Sequence, residues 1–207
     1  MERYIYVVMI SSHTNIGKLI RVALRSKYNH AAISLDKDLT SLYSFARYNH
    51  NSPLAAGFVN ERLSRYYHFG NPPIKIFKIK LNKKELKRVK RELKIFELNQ
   101  NGYFYNLISA VLTPFRRRYP LKNSYTCIEF TVHMLGIIGK VKNETGHYNF
   151  KKLEEELESN FYYEGNLYDY TKKDDLDIGN YLEKKAKWDI TKETAGAIKK
   201  VILAILS

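Results

Sequence analysis

The sequence predicts an α+β protein in which a small antiparallel sheet packs against helices. The first observation is a set of β-prone runs, among which one alternates strictly between apolar residues and lysines. These runs are residues 4–10, 28–35, 42–47 and 74–81. The second observation is apolar residues recurring at spacings of three and four, which is typical of helices. These segments are residues 16–24, 82–98, 103–115, 127–135, 149–157 and 191–206.

Two other stretches connect these elements. Residues 49–69 contain Asn, Pro and Gly and are predicted to form a long loop, and loops of this length are often functional. Residues 161–170 are predicted to be extended. The strand at 4–10 is continuously apolar, so we expect it to be buried.

Length and composition indicate one globular unit. The chain has 207 residues, of which 44% are hydrophobic and 14% aromatic, and this is enough for one sizeable core. We find no linker, so we predict a single domain over residues 1–207. Within it we expect a core at 1–140 and a helical and extended C-terminal extension at 141–207.

The N-terminus and the apolar runs predict a cytoplasmic protein. Residues 1–10 lack the cleavage site of a signal peptide, and no run approaches the roughly 20 apolar residues of a membrane span. The cationic surface is also compatible with a peripheral location at a membrane.

The formal net charge of +14 suits an anionic partner, either a lipid surface or an acidic polymer. Alternatively, the net charge reflects only the Lys-, Asn-, Ile- and Tyr-rich composition of proteins from a bacterium with an AT-rich genome. No nucleic-acid-binding motif is found, so we expect no specific nucleic acid. The single cysteine excludes an internal disulfide, and the histidines lack metal-ligand spacing, so no metal or cofactor is expected. The oligomeric state stays open.

The only cysteine, Cys127, lies at the start of an apolar helical pattern. Ser124 and Thr126 precede it, and their hydroxyls can accept hydrogen bonds from the unpaired N–H groups of a helix N-terminus. In the first turn the helix dipole and free N–H groups stabilise a thiolate, which is a nucleophile. The alternative is that Cys127 is a small buried apolar residue, as many lone cysteines are.

Two separated motifs point to one family. The stretch Tyr125-Thr126-Cys127-Ile128-Glu129-Phe130 resembles the Tyr-x-Cys-Ser-Glu-Phe nucleophile motif of circularly permuted NlpC-like papain-fold hydrolases. Residues 19–36, with His30 at the start of a strand, and residues 42–47 resemble the histidine-bearing half of the same group. This group is the YaeF/YiiX branch, related to lecithin–retinol acyltransferase-like enzymes. In its permuted members the histidine strand precedes the cysteine helix, as it does here. Residues 57–61 look like a loop motif of Firmicute relatives.

The resemblance covers roughly residues 1–140 and implies a permuted papain-like fold and a cysteine hydrolase. Cys127 would be the nucleophile of an acyl-thioester reaction on an amide, peptide or ester, and His30 its general base and acid. The Cys127 N–H would bind the oxyanion, with the Tyr125 hydroxyl as a candidate second donor. In this family a polar residue on the next strand orients the histidine, and Ser44 stands at the matching position. Two alternatives to a hydrolase stay open. They are a lipid acyltransferase and a catalytically weak module that binds anionic polymer or lipid.

The last helical pattern is predicted to start at Thr191, with a break at Gly196. Its apolar side, formed by Ile198, Val201, Ile202 and Ile205, is expected to pack on a surface. That surface is the domain itself, a second subunit or a membrane.

Overall fold

The computed structural model describes residues 2–12, 26–52, 54–67, 70–142, 147–171 and 180–206. Its strands are β1 (Arg3–Ile10), β2 (His30–Ser34), β3 (Leu42–Arg47), β4 (Ala56–Glu61), β5 (Pro73–Leu81), β6 (Phe104–Tyr105), β7 (Ser124–Tyr125) and β8 (Phe161–Asn166). Its α-helices are α1 (Ser64–Tyr67), α2 (Lys83–Leu98), α3 (Leu107–Leu112), α4 (Cys127–Gly136), α5 (Phe150–Leu157), α6 (Leu167–Thr171) and α7 (Lys187–Leu206).

Six strands form one antiparallel sheet in the order β4-β3-β2-β1-β5-β8, and β6 and β7 form a separate parallel pair. This confirms the α+β class and the antiparallel sheet. Strand β1 lies inside the sheet, and Val7 and Val8 contact hydrophobic clusters on opposite faces. Because both faces of β1 are covered, its sequence is continuously apolar instead of alternating.

The larger cluster lies between the sheet and three helices. It includes Phe96 of α2, Phe130 of α4 and Leu153 of α5, which are almost fully buried. The smaller cluster on the other face includes Tyr66 of α1 and Leu167 of α6. Helix α4 packs directly against β2 and β3, and this contact places its N-terminus beside the sheet.

The prediction of a long loop over residues 49–69 is wrong for much of that stretch, which contains β4 and α1. Strand β4 pairs with β3 from Leu42↔Glu61 to Arg47↔Ala56, and α1 follows it. The strand was missed because Gly57 and Asn60 interrupt its apolar pattern, and both residue types are depleted in strands. A larger residue at Gly57 would need the surroundings to shift, since its Cβ would clash with the Tyr48 hydroxyl and lie 3.1 Å from the backbone oxygen of Tyr103.

Three helix and strand boundaries also differ from the prediction. The helix predicted over 103–115 starts later, because the Asn106 side chain accepts a hydrogen bond from the N–H of Ser109 and caps α3 there. Residues 161–170 form β8 and then α6. Helix α7 begins four residues before Thr191 and continues through Gly196. The helix predicted over residues 16–24 lies outside the described residues.

Residues after 140 contribute to both the sheet and the core. Strand β8 pairs with β5, and the apolar side chains of α5 belong to the larger cluster. Lys75 of β5 is buried and forms ion pairs with Glu154 and Glu158, so this β5 lysine does not point into solvent. The C-terminal extension is therefore integrated into the fold.

Candidate active site

Cys127 is the first residue of α4, and the helix start is fixed by a reciprocal cap. The Thr126 hydroxyl accepts a hydrogen bond from the N–H of Glu129 (3.1 Å), and a Glu129 carboxylate oxygen accepts from the N–H of Thr126 (2.7 Å). The N–H groups of Cys127 and Ile128 lie in the first turn, where no preceding helical carbonyl can accept them. The Cys127 side chain is buried beside these donors.

Glu129 makes contacts that fix the start of α4. In addition to capping α4, it accepts a hydrogen bond from Arg118 Nε at 2.9 Å. Both contacts hold the carboxylate at the helix start.

His30, the first residue of β2, lies next to Cys127. Its Nε2 is 2.6 Å from Oε1 of Glu61, and its side chain is 13% exposed. Burial alone would lower the pKa of His30. The negative charge of Glu61 and a hydrogen-bonding interaction with the Cys127 side chain outweigh this effect and raise the pKa to about 10. The imidazole is therefore held as a cation at neutral pH.

Glu61, the last residue of β4, is the centre of a buried polar network. Oε1 contacts His30 and accepts a hydrogen bond from the Ser44 hydroxyl. Oε2 accepts a hydrogen bond from the Tyr66 hydroxyl (2.6 Å) and lies 2.7 Å from Nη1 of Arg65. Burial would raise the pKa of Glu61, but the positive charges of Arg65 and His30 hold it well below its usual range. The carboxylate is therefore ionised and saturated with partners.

Tyr105 is the phenol that interacts with the Cys127 thiol. Burial and the proximity of Cys127 raise the pKa of Tyr105 well above its usual value. Its hydroxyl therefore stays protonated and can donate a hydrogen bond. Tyr105 reaches this position because β6 pairs with β7, the strand that immediately precedes the cap of α4.

Tyr125, the oxyanion donor suggested by the sequence, belongs to an aromatic cluster in the core. Its ring centroid lies 5.2 Å from that of Phe45, 5.6 Å from Phe96 and 5.4 Å from His133. Adjacent strands place Tyr105 and Tyr125 as register partners, but it is the Tyr105 hydroxyl that interacts with Cys127.

Ser44, expected to orient His30, lies one step further away. The group on Nε2 of His30 is Glu61, and Ser44 donates its hydrogen bond to Glu61. The expected contact is corrected: the group beside Nε2 of His30 is a carboxylate from β4, within the stretch predicted to be a loop. Serine on the neighbouring strand supports that carboxylate.

The sequence motifs therefore indicated Cys127 and His30, which interact in the structure, and gave no role to Glu61, Arg65 and Tyr105. A signal for Glu61 was available, because the stretch Gly57-Phe58-Val59-Asn60-Glu61 was recognised as a motif. The predicted loop over residues 49–69 gave no reason to expect Glu61 on a strand near His30. Tyr105 carries no comparable signal, since it is one of 17 tyrosines and its contact depends on a short strand pair.

The described residues contain no group of three or more His, Cys, Asp or Glu side chains arranged to hold a metal ion. Within the same residues, no helix has the length and apolar character needed to cross a bilayer. Comparison with protein-family models, with curated proteins and with solved structures gave no match.

Proposed function

We propose that the protein is a cysteine hydrolase of the amidase, peptidase or esterase class, with a permuted papain-like (NlpC-type) fold. One observation carries the proposal. Cys127 lies at a capped helix N-terminus beside His30, and Nε2 of His30 lies 2.6 Å from the buried carboxylate of Glu61. A nucleophile, a base and a group that orients the base are the elements of covalent acyl transfer.

The reaction follows from these positions. The Cys127 thiolate attacks the substrate carbonyl carbon, and a carbon–sulfur bond forms. The His30 imidazolium then donates its proton to the leaving nitrogen or oxygen, whose bond to carbon breaks, and an acyl-thioester remains. A water molecule attacks the thioester while neutral His30 takes its proton. Collapse of this second intermediate releases the acid and restores Cys127.

The oxyanion of both tetrahedral intermediates would be bound at the start of α4. The N–H of Cys127 is the first donor, because it points out of the helix N-terminus. We assign the second donor to the Tyr105 hydroxyl, which stays protonated and interacts with Cys127. Tyr125 would then support the site through packing, and Ser44 through its hydrogen bond to Glu61.

Lipid acyl transfer is the second candidate, and the surface of α7 favours it. Large apolar side chains along this helix are between 46% and 78% exposed; they are Trp188, Ile198, Ile202, Leu203, Ile205 and Leu206. Helix α7 packs against β6, the strand that carries Tyr105, so this apolar surface belongs to the same part of the molecule as the thiol. Together with the net charge of +14, it suits an anionic lipid surface.

The proposal is tested with p-nitrophenyl acetate, a generic acyl donor, followed by mass spectrometry. We expect a burst of nitrophenol and one acetyl group on Cys127. The Cys127→Ser variant should lose the burst, and His30→Ala should reduce its rate by about a hundredfold or more. If acetylation is instead spread over surface lysines and is unchanged in Cys127→Ser and His30→Ala, the protein is a binding module and not an enzyme. Supplying the acyl donor as a short-chain phospholipid, below and above its micelle concentration, separates the hydrolase from the lipid acyltransferase.

A further inference from the structure

A segment near the C-terminus covers the cation that lies behind Glu61. The ring centroid of Tyr181 is 3.9 Å from the guanidinium carbon of Arg65. Arg65 itself is 8% exposed, and its Nη1 lies 2.7 Å from Oε2 of Glu61. Tyr181 is thus joined to His30 through two buried charges, although 151 residues separate them in the sequence.

The backbone around Tyr181 is anchored independently of its ring. The Tyr181 carbonyl accepts hydrogen bonds from the backbone N–H of His50 (3.0 Å) and from its Nδ1 (3.1 Å). Two residues further along the chain, the Glu183 carbonyl accepts a hydrogen bond from Asn49 Nδ2 at 2.9 Å. The Tyr181 hydroxyl accepts from Nη2 of Arg47 at 3.3 Å. The aromatic ring is therefore presented to Arg65 by a fixed backbone.

Arg65 has the geometry of a group that fixes the orientation of a carboxylate. Its Nη2 donates to the backbone carbonyl of Arg47 (2.9 Å) while Nη1 holds one oxygen of Glu61. With Oε2 occupied by Arg65 and by the Tyr66 hydroxyl, Oε1 is the oxygen directed at His30. An aromatic ring stacked on a buried guanidinium stabilises the cation and keeps its plane fixed.

We propose that Tyr181 is a positioning residue of the active site, which acts by clamping Arg65 and, through it, the Glu61–His30 pair. The inference rests on the proposed function, because it needs a reaction in which the orientation of His30 matters. It gives the segment 180–183 a role in catalysis at a distance from the reacting atoms. The side chain touches Arg65 and none of the groups that contact the substrate carbonyl.

The test compares two substitutions in the full-length chain. Tyr181→Leu keeps an apolar side chain of substantial volume but removes the π face, whereas Tyr181→Phe keeps the ring and removes the hydroxyl. The measured quantity is the rate of Cys127 alkylation by iodoacetamide at pH 6, with the unfolding midpoint in urea measured alongside. We expect Tyr181→Leu to react about fivefold more slowly than wild type, because one buried cation–π contact is lost. Tyr181→Phe should react at the wild-type rate. Tyr162→Leu, at an exposed tyrosine of β8, is the matched control and should leave the rate unchanged.

The outcomes separate the two claims. If wild type reacts fast, His30→Ala reacts slowly and Tyr181→Leu matches wild type, the positioning role is refuted and the proposed function stands. If Leu and Phe are equally slow, the ring is not the operative group and the proposal is overturned. If wild type itself reacts no faster than His30→Ala, the proposed function has failed first. A last outcome is that Tyr181→Leu and Tyr181→Phe both lower the Cys127 alkylation rate in proportion to the unfolding free energy. That result would mean that Tyr181 contributes to stability alone.

Discussion

At the scale of single residues, the site is a chain of contacts that begins at Cys127, in which the charges of His30, Glu61 and Arg65 alternate. Cys127, His30, Glu61 and Arg65 follow one another, and each of the last three is buried with its charge compensated by its neighbours. Burial penalises isolated charges, so removing one member leaves another uncompensated. Substitutions of these residues should therefore slow Cys127 alkylation to different extents, depending on how directly each residue contacts His30.

The first prediction concerns the residue that orients His30. Glu61→Gln keeps the shape of the side chain but removes the charge, so we expect Cys127 alkylation at pH 6 to slow by about tenfold or more. Ser44→Ala should slow it by less, because Ser44 reaches His30 only through Glu61. The rates are measured with iodoacetamide and compared with Ser41→Ala, a serine outside the network. A larger effect from Ser44→Ala than from Glu61→Gln would return the orienting role to the serine.

The second prediction concerns the pH dependence of stability. The pKa of His30 is raised to about 10, so its contribution to stability is complete below the pKa of an unfolded histidine, about 6.5. This contribution is lost progressively as the pH rises from there toward 10. The difference in unfolding free energy between wild type and His30→Gln, measured in urea, should therefore shrink between pH 7 and pH 10. A difference that stays constant between pH 7 and pH 10 would mean that the histidine is already neutral in the folded protein.

At the scale of elements, the site depends on how two strands and one helix begin and end. His30 starts β2, Glu61 ends β4 and Cys127 starts α4, so the three side chains meet where regular structure is interrupted. The helix start was predictable, because Thr126 and Glu129 form a capping box that is visible in the sequence. The end of β4 was not, because Gly57 and Asn60 disrupt the strand pattern and the pairing partner lies in another segment.

The third prediction tests the cap of α4. Thr126→Ala removes the hydroxyl that accepts from the N–H of Glu129, and should destabilise the protein by about 1 kcal/mol. It should also slow Cys127 alkylation, since a frayed first turn orients fewer N–H groups toward the thiolate. Thr126→Ser keeps the hydroxyl and should behave like wild type in both urea denaturation and alkylation. If Thr126→Ala loses stability without any change in alkylation rate, the helix N-terminus does not activate the thiol.

At the scale of the whole molecule, the sequence led to the α+β class, the antiparallel sheet and the choice of Cys127 and His30 as candidate site residues. It did not lead to the contribution of the chain after residue 140. Strand β8 pairs with the alternating strand β5, but the aromatic run at 161–163 is partly exposed and lacks a period that would assign it to the sheet. The orientation of α7 was also not predictable, because nearly every face of this helix carries apolar residues. Val201 is half-buried, whereas Ile198, Ile202 and Ile205 are exposed.

The fourth prediction concerns that exposed face. If α7 contacts anionic lipid, the protein should sediment with phosphatidylglycerol vesicles and much less with phosphatidylcholine vesicles, and salt should weaken the binding. The double substitution Ile198→Ser with Ile202→Ser should reduce sedimentation severalfold. Leu98→Ser, at an exposed leucine of α2, is the control and should bind like wild type. Equal binding by all variants would assign the lipid affinity to charge alone, and absence of binding would remove the lipid acyltransferase alternative.

The central claim, that His30 activates Cys127, is tested most directly by the rate of iodoacetamide alkylation as a function of pH. We measure it in the native protein, in His30→Ala and in the urea-unfolded chain. We expect fast alkylation of native Cys127 at pH 6, a rate at least tenfold lower in His30→Ala, and an equally low rate after unfolding. The opposite order, with a native thiol that is inert when folded and reacts only when unfolded, and with no effect of His30→Ala, would contradict it.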